Sequence, residues 1–207
     1  MSITLILIIL TAGISYFSFE NRSLFEKLKH SPYAETKSKE FYRLWTSGFV
    51  HGSWLHLGIN MFVFYQFGEA VEGNFIFYFG ELMGRINFLL LYLGTIPFAN
   101  LSTLYKHKDD PYFASVGASG AVSGILFAYV IFNPWNILLL FFIIPVPAFI
   151  AAVLYLIYSS YASKQGQDMI DHDAHFYGAI FGFLLTIILN PEFFSMFLDK
   201  LINQTPF

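Results

Sequence analysis

Apolar residues in this chain arrive in blocks of membrane-spanning length, and the polar residues that interrupt the blocks are few enough to be named one by one. A template of ~20 apolar residues, which crosses a hydrocarbon core of about 30 Å as a helix, fits six times, at roughly 3–19, 49–68, 86–103, 113–133, 137–160 and 174–190. Neither two-residue alternation nor a one-sided helical stripe dominates these blocks, so each reads as a helix covered on most sides by lipid or by other helices. The expected fold is an all-α membrane protein, a bundle of six transmembrane helices, with residues 1–207 forming a single integral membrane domain.

The punctuation supports that division. No positive charge precedes the first block and no small-x-small cleavage site follows it before Glu20, so it is expected to be a retained helix and not a signal peptide. The one long polar stretch, about Glu20 to Arg43, carries Arg22, Lys27, Lys29, Lys37, Lys39 and Arg43 among four glutamates and reads as an ordered interfacial loop. Asn133-Pro134 stops the fourth helix, while Pro145 and Pro147 are expected to kink the fifth. From Ser119 to Asn133 the fourth helix is only ~22 Å long, short of the ~30 Å core. It should therefore begin below the membrane surface, with 111–118 descending to it as irregular backbone along a water-accessible cavity.

Composition narrows the function classes. With 56% hydrophobic and 12% charged residues the chain holds about half the charge of a soluble domain. A net charge of −3 without a long basic run gives no footprint for nucleic acid. The absence of cysteine excludes a thiol nucleophile, thiolate metal ligands and disulfides.

Polar side chains inside apolar blocks are costly, and so they are the first candidates for chemistry. The second block carries His51, His56 and Asn60; the fourth opens with Gly117-Ala118-Ser119-Gly120 and continues to Ser123-Gly124; the sixth opens with Asp171, His172, Asp173 and His175. In a six-helix chain the second, fourth and sixth helices run in one direction, which puts all three clusters at one membrane face. His56 and Asn60 are one turn apart on the same side of their helix. Gly120 with Gly124, and Gly178 with Gly182, are small-xxx-small seams, read as packing residues only; if the seams meet, an imidazole on one helix reaches a hydroxyl on the other. Ser119 and His175 then form a nucleophile and its general base. The helix start at Ser119 offers a backbone N–H to a developing oxyanion, and His56 and Asn60 offer side-chain donors. His51 and His172 are expected to be polar structural residues near the interface.

At these positions the chain resembles the rhomboid family. The resemblance lies in Trp54-Leu55-His56-Leu57-Gly58-Ile59-Asn60-Met61, in Gly117-Ala118-Ser119-Gly120, and in Ala174-His175-Phe176-Tyr177-Gly178 with Gly182, and it extends from about Arg43 to Asn190. It implies a six-helix rhomboid-like bundle and a serine endopeptidase that cuts membrane-anchored proteins in or near their transmembrane helix. It further implies Ser119 and His175 as the catalytic dyad, His56, Asn60 and the Ser119 backbone as oxyanion stabilisers, and neither metal nor cofactor. The partners it implies are transmembrane protein substrates and membrane lipid. Two departures stand out: the loop before the second helix is only loosely like the family's membrane-dipping first loop, and Ser123 stands where many members carry an aromatic ring stacked on the catalytic histidine.

Two other classes fit parts of the pattern. A metal-binding membrane protein could use His51, His56, His172 and His175 with Asp171 or Asp173, but would leave Ser119 and Asn60 without a purpose. A non-catalytic rhomboid-like binder of membrane proteins would keep the fold without needing the dyad. Orientation is contested within the sequence. Nine of the Lys and Arg residues fall on the active-site face and only Arg85 and Lys200 opposite, which the positive-inside rule places in the cytoplasm. The resemblance implies the reverse: a bacterial-type inner or plasma membrane with the site facing outward.

Overall fold

The computed structural model describes residues 1–140, 143–165 and 170–205. The order of elements is α1 (Ile3–Glu20), α2 (Arg22–Leu28), α3 (Pro32–Lys37), α4 (Arg43–Thr46), a 3-10 turn (Ser47–Phe49), α5 (Trp54–Phe79), α6 (Glu81–His107), α7 (Ser119–Phe132), β1 (Ile137–Leu140), β2 (Ile144–Pro147), α8 (Ala148–Gln165), α9 (His172–Leu189) and α10 (Glu192–Asn203). Among the described residues, α1, α6 and α9 are long and apolar enough to cross a membrane, and α7 is a shorter apolar helix of 14 residues. The chain is a mainly helical integral membrane protein.

Four apolar blocks become helices close to their expected bounds, and the ends have local causes. Ser2 caps α1 by accepting from Leu5 N–H, Ser53 caps α5 by accepting from His56 N–H, and Asp171 caps α9 by accepting from Ala174 N–H. The fourth block is helical only from Ser119, so 14 residues give a helix of ~21 Å.

Three expectations are corrected. Helix α5 does not end near residue 68 but runs to Phe79, and α6 starts at Glu81, so the two are joined by Gly80 alone at φ +79°. The carboxylate inside the extended helix has partners: Glu72 is buried and accepts from Ile3 N–H, Thr4 N–H and the Thr4 hydroxyl, each at 2.8 Å, tying the start of α1 to α5. Residues 137–140 and 144–147 are not the first half of a kinked fifth helix. Ile137–Leu140 and Ile144–Pro147 pair antiparallel, with Ile137 opposite Pro147 and Leu139 opposite Pro145. Proline lacks the N–H that a helix interior needs, and in a two-stranded pair it can turn its nitrogen to the open edge. The third correction is an addition: α10 packs Phe193 and Phe197 inward, and Lys200 donates to Phe132 O at the end of α7 at 2.6 Å.

The polar stretch before α5 is ordered by specific bonds. Arg43 donates to Glu26 O, Lys29 O and the Glu40 carboxylate, and Thr46 donates to Leu28 O. His30 and Ser115 exchange backbone hydrogen bonds, binding this stretch to the segment ahead of α7. On its outer side Lys37 and Asp109 pair at 2.8 Å; that hydrogen bond holds the Asp109 carboxyl below its ordinary range and the Lys37 ammonium above its own.

The core forms where α5, α6, α7 and α9 meet, around Phe64, Phe88, Leu91, Tyr92, Ile125 and Ala128. Its closest approach is between α7 and α9. A Cβ added to Gly178 would lie 2.2 Å from Gly120 O, and one added to Gly182 would lie 2.3 Å from Gly124 Cα. The two glycine seams meet in register, so α7 and α9 run in the same direction. On the other flank Gly120 faces Ala99 and Gly124 faces Thr95, which sets α6 antiparallel to α7.

Candidate active site

The seams determine what their first turns can do. With Gly120 against Gly178, Ser119 and His175 share one level of the bundle, and Ser119 Oγ lies 2.7 Å from His175 Nε2. Both residues are half-buried. A hydroxyl at this distance can donate to the imidazole nitrogen, the arrangement required of a serine that is to lose its proton to a neighbouring base.

His56 arrives from the side. Gly117 takes φ +120°, and a Cβ there would come 2.7 Å from His56 Cε1 and 2.9 Å from its Nε2. Only glycine leaves room for both the left-handed backbone and the ring, so the edge of His56 rests on the backbone two residues before Ser119. Asn60 is buried one turn along α5, with its amide donating to His56 O at 3.0 Å. The structure thus brings Ser119, His175 and His56 into one site and places Asn60 a turn deeper, its amide engaged with its own helix.

His51 is fully buried within the protein and holds the backbone just ahead of the nucleophile. The Ser15 hydroxyl donates to Phe49 O at 3.0 Å, so the 2.9 Å contact between Ser15 Oγ and His51 Nδ1 is an N–H donation by the imidazole. That leaves Nε2 as an acceptor, and Ala118 N–H donates to it at 3.3 Å. The Ala118 donor is therefore occupied, while the Ser119 N–H is among the first-turn donors of α7 that have no intrahelical acceptor. No spacing rule relates Ser15 to His51; the signal present in the sequence was only that His51 lies five residues before His56.

His172 is also buried within the protein, its ring at a steep angle to that of His175 with centroids 5.8 Å apart. The neighbouring aspartates anchor α9 and its surroundings. Asp171 accepts from Ala174 N–H and from the Ser115 hydroxyl, each at 2.9 Å, while Asp173 accepts from Ser163 on α8 at 2.6 Å and from Lys106 on α6 at 2.5 Å. Among the described residues no three His, Cys, Asp or Glu side chains gather as a ligand set for a metal. Behind Ser119 lies a cavity of about 20 Å³, lined among others by Ser47, Asn100, Gly117 and Asp171. Its size suits roughly one water molecule.

Fold and site together define a membrane helical bundle with a serine–histidine pair at the N-terminal end of a short central helix. A model of the Rhomboid domain matches residues 38–192, more than half of the chain. The chain belongs to the rhomboid family. It is similar to "Rhomboid protein 1, mitochondrial" of Saccharomyces cerevisiae, 29% identical over 143 residues that make up 67% of this chain and 39% of that protein. "Rhomboid-like protein 11, chloroplastic" of Arabidopsis thaliana is 29% identical over 178 residues, 80% of this chain and 58% of that protein. "Presenilin-associated rhomboid-like protein, mitochondrial" of Mus musculus is 31% identical over 140 residues, 66% and 35% of the two chains. The match spans less than two thirds of each relative's length, and these three are named for organelles, not for the bacterial-type plasma membrane expected above.

Proposed function

We propose that this chain is an intramembrane serine endopeptidase that cleaves membrane-anchored proteins in or near their transmembrane helix, within a six-helix rhomboid-like bundle formed as one domain. The observation that carries this reading is the 2.7 Å contact between Ser119 Oγ and His175 Nε2 at the mouth of a half-buried site.

In this mechanism His175 takes the Ser119 proton as Oγ attacks the scissile carbonyl, and the carbonyl oxygen becomes an oxyanion. The Ser119 N–H and the His56 side chain donate to it, and Asn60 joins them when its amide turns from His56 O. His175 then returns its proton to the leaving amine, which departs with the C-terminal fragment. A water molecule, for which the cavity behind Ser119 has room, attacks the acyl-enzyme with His175 again as base, and the acid product leaves Ser119 free. Substrate helices must open near the cut, because their scissile carbonyl otherwise stays in its own backbone hydrogen bond.

The metal-binding reading is disfavoured because both nitrogens of His51 are engaged, by Ser15 and by Ala118. The non-catalytic reading gives no reason for the Ser119–His175 contact. A serine-reactive fluorophosphonate probe, applied with and without a chelator, tests the protease reading. The protease is labelled at Ser119 in both conditions; folded protein left unlabelled in both would overturn it, and a stoichiometric zinc-binding measurement would then separate a metal site from a binder.

A further inference from the structure

Ser123 leaves the face of His175 without the ring that many rhomboids supply from that position. The structure fills the gap from a different helix. Tyr155 on α8 lies beside His175 with its ring nearly parallel and well offset, centroids 6.2 Å apart and planes 21° from parallel. Its hydroxyl is 2.5 Å from Ser123 Oγ. The Ser123 hydroxyl itself is 2.7 Å from Ser119 O and donates its single proton to that carbonyl. Tyr155 is therefore the donor to Ser123, and the chain of bonds runs from Tyr155 through Ser123 to the backbone of the nucleophile.

We propose that Tyr155, fixed by Ser123, is the positioning residue that holds His175 in line with Ser119. Four residues close a ring: Ser119 Oγ contacts His175, Tyr155 runs beside His175, Tyr155 donates to Ser123, and Ser123 donates to the Ser119 backbone O. The His175 ring also meets that of His172 at a steep angle, and Tyr158, one turn from Tyr155, meets His172 in the same way at 5.5 Å. Two tyrosines of α8 thus take part in the ring contacts around the imidazole. Helix α8 thereby has a catalytic purpose although it buries only Ala148, Ala151, Ala152 and Ser159. Serine at 123 follows from the same geometry, because a larger side chain there would occupy the place of the Tyr155 hydroxyl.

This inference rests on the protease reading, and the test keeps the two apart. The rate constant for fluorophosphonate labelling of Ser119 is measured together with the fraction of protein finally labelled, in wild type, Tyr155→Leu, Tyr155→Phe, Ser123→Ala and the Ser123→Ala/Tyr155→Phe double variant. Tyr155→Leu is expected to slow labelling about three- to tenfold at an undiminished final fraction, with kcat for peptide cleavage falling in step and KM little changed. Tyr155→Phe keeps the ring and recovers part of the rate. Ser123→Ala, which also loses the bond to Ser119 O, is at least as slow as Tyr155→Phe, and the double variant is no slower than Ser123→Ala, because the Tyr155 hydroxyl acts only through Ser123. A loss confined to the final fraction would mean misfolding and would overturn the positioning role, as would Tyr155→Leu labelled at the wild-type rate. A wild type that is never labelled removes the protease reading and the proposal together.

Discussion

Replacing Gly178 by alanine puts a methyl group where α9 already touches the backbone of α7. The new Cβ would lie 2.2 Å from Gly120 O and 2.8 Å from Gly120 C, against an ordinary contact distance of at least 3.4 Å. Backbone cannot rotate away as a flexible side chain can, so the helices must part by roughly 1 Å. His175 is one turn before Gly178 on the same helix, and the displacement carries its ring from 2.7 Å to nearly 4 Å from Ser119 Oγ, beyond hydrogen-bond reach. A misplacement of about 1 Å can cost ~10²-fold in rate, and overpacking costs about 1–3 kcal/mol of stability. Gly73→Ala is the control, since a Cβ there meets nothing within 4 Å on α5. Both variants would be assayed in the same micelles for unfolding midpoint and for Ser119 labelling rate. The expected result is a destabilised Gly178→Ala labelled about a hundredfold more slowly, beside a Gly73→Ala that equals wild type in both. Wild-type labelling and stability in Gly178→Ala would refute the idea that the glycine seam sets the spacing of the dyad.

Other outcomes follow from the site. His56→Ala and Asn60→Ala should each slow cleavage by about 10²- to 10³-fold without abolishing it, as loss of one oxyanion donor does; wild-type rates in both would make these side chains structural. His51→Ala strands the Ala118 N–H and should cost roughly 1–3 kcal/mol, with slower labelling, while His51→Gln, which offers both a donor and an acceptor, should retain more of each. An unchanged denaturation midpoint in His51→Ala would contradict the hydrogen-bond chain drawn through Ser15. For orientation, single cysteines at the exposed positions Lys106 and Asn136 are expected to react with an impermeant thiol reagent from outside and from the cytoplasm respectively. The reverse pattern in active variants would show that loop charge, not family likeness, sets the topology.

What the sequence disclosed and what it withheld divide along physical lines. Ser119, His175 and His56 could be singled out because lipid leaves so few reasons for a polar group, and the glycine seams then told how α7 and α9 approach. The start of α7 at Ser119 and its short length were legible from the Gly117-Ala118-Ser119-Gly120 entry and the Asn133-Pro134 stop. The strands 137–140 and 144–147 were not, because Ile, Leu and Val satisfy a membrane helix and a strand equally, and only pairing decides between them. The extent of α5 was hidden by Glu69 and Glu72, whose carboxylates look like the end of a span until the Ser2 hydroxyl and the start of α1 are seen to satisfy them. The partner of the buried His51 is Ser15, 36 residues away, and the ring beside His175 comes from α8, 32 residues after Ser123. Such pairings are products of tertiary packing, which no local spacing encodes.

Cleavage of single-helix substrates by detergent-purified wild type, Ser119→Ala, His175→Ala and the double variant tests the central claim most directly. A nucleophile and its base act as one unit, so each single variant should lose cleavage entirely while remaining folded, and the double should be no worse than either. Appreciable turnover by Ser119→Ala or His175→Ala, at a level above a no-enzyme control, would contradict the assignment of the Ser119–His175 pair as the catalytic dyad.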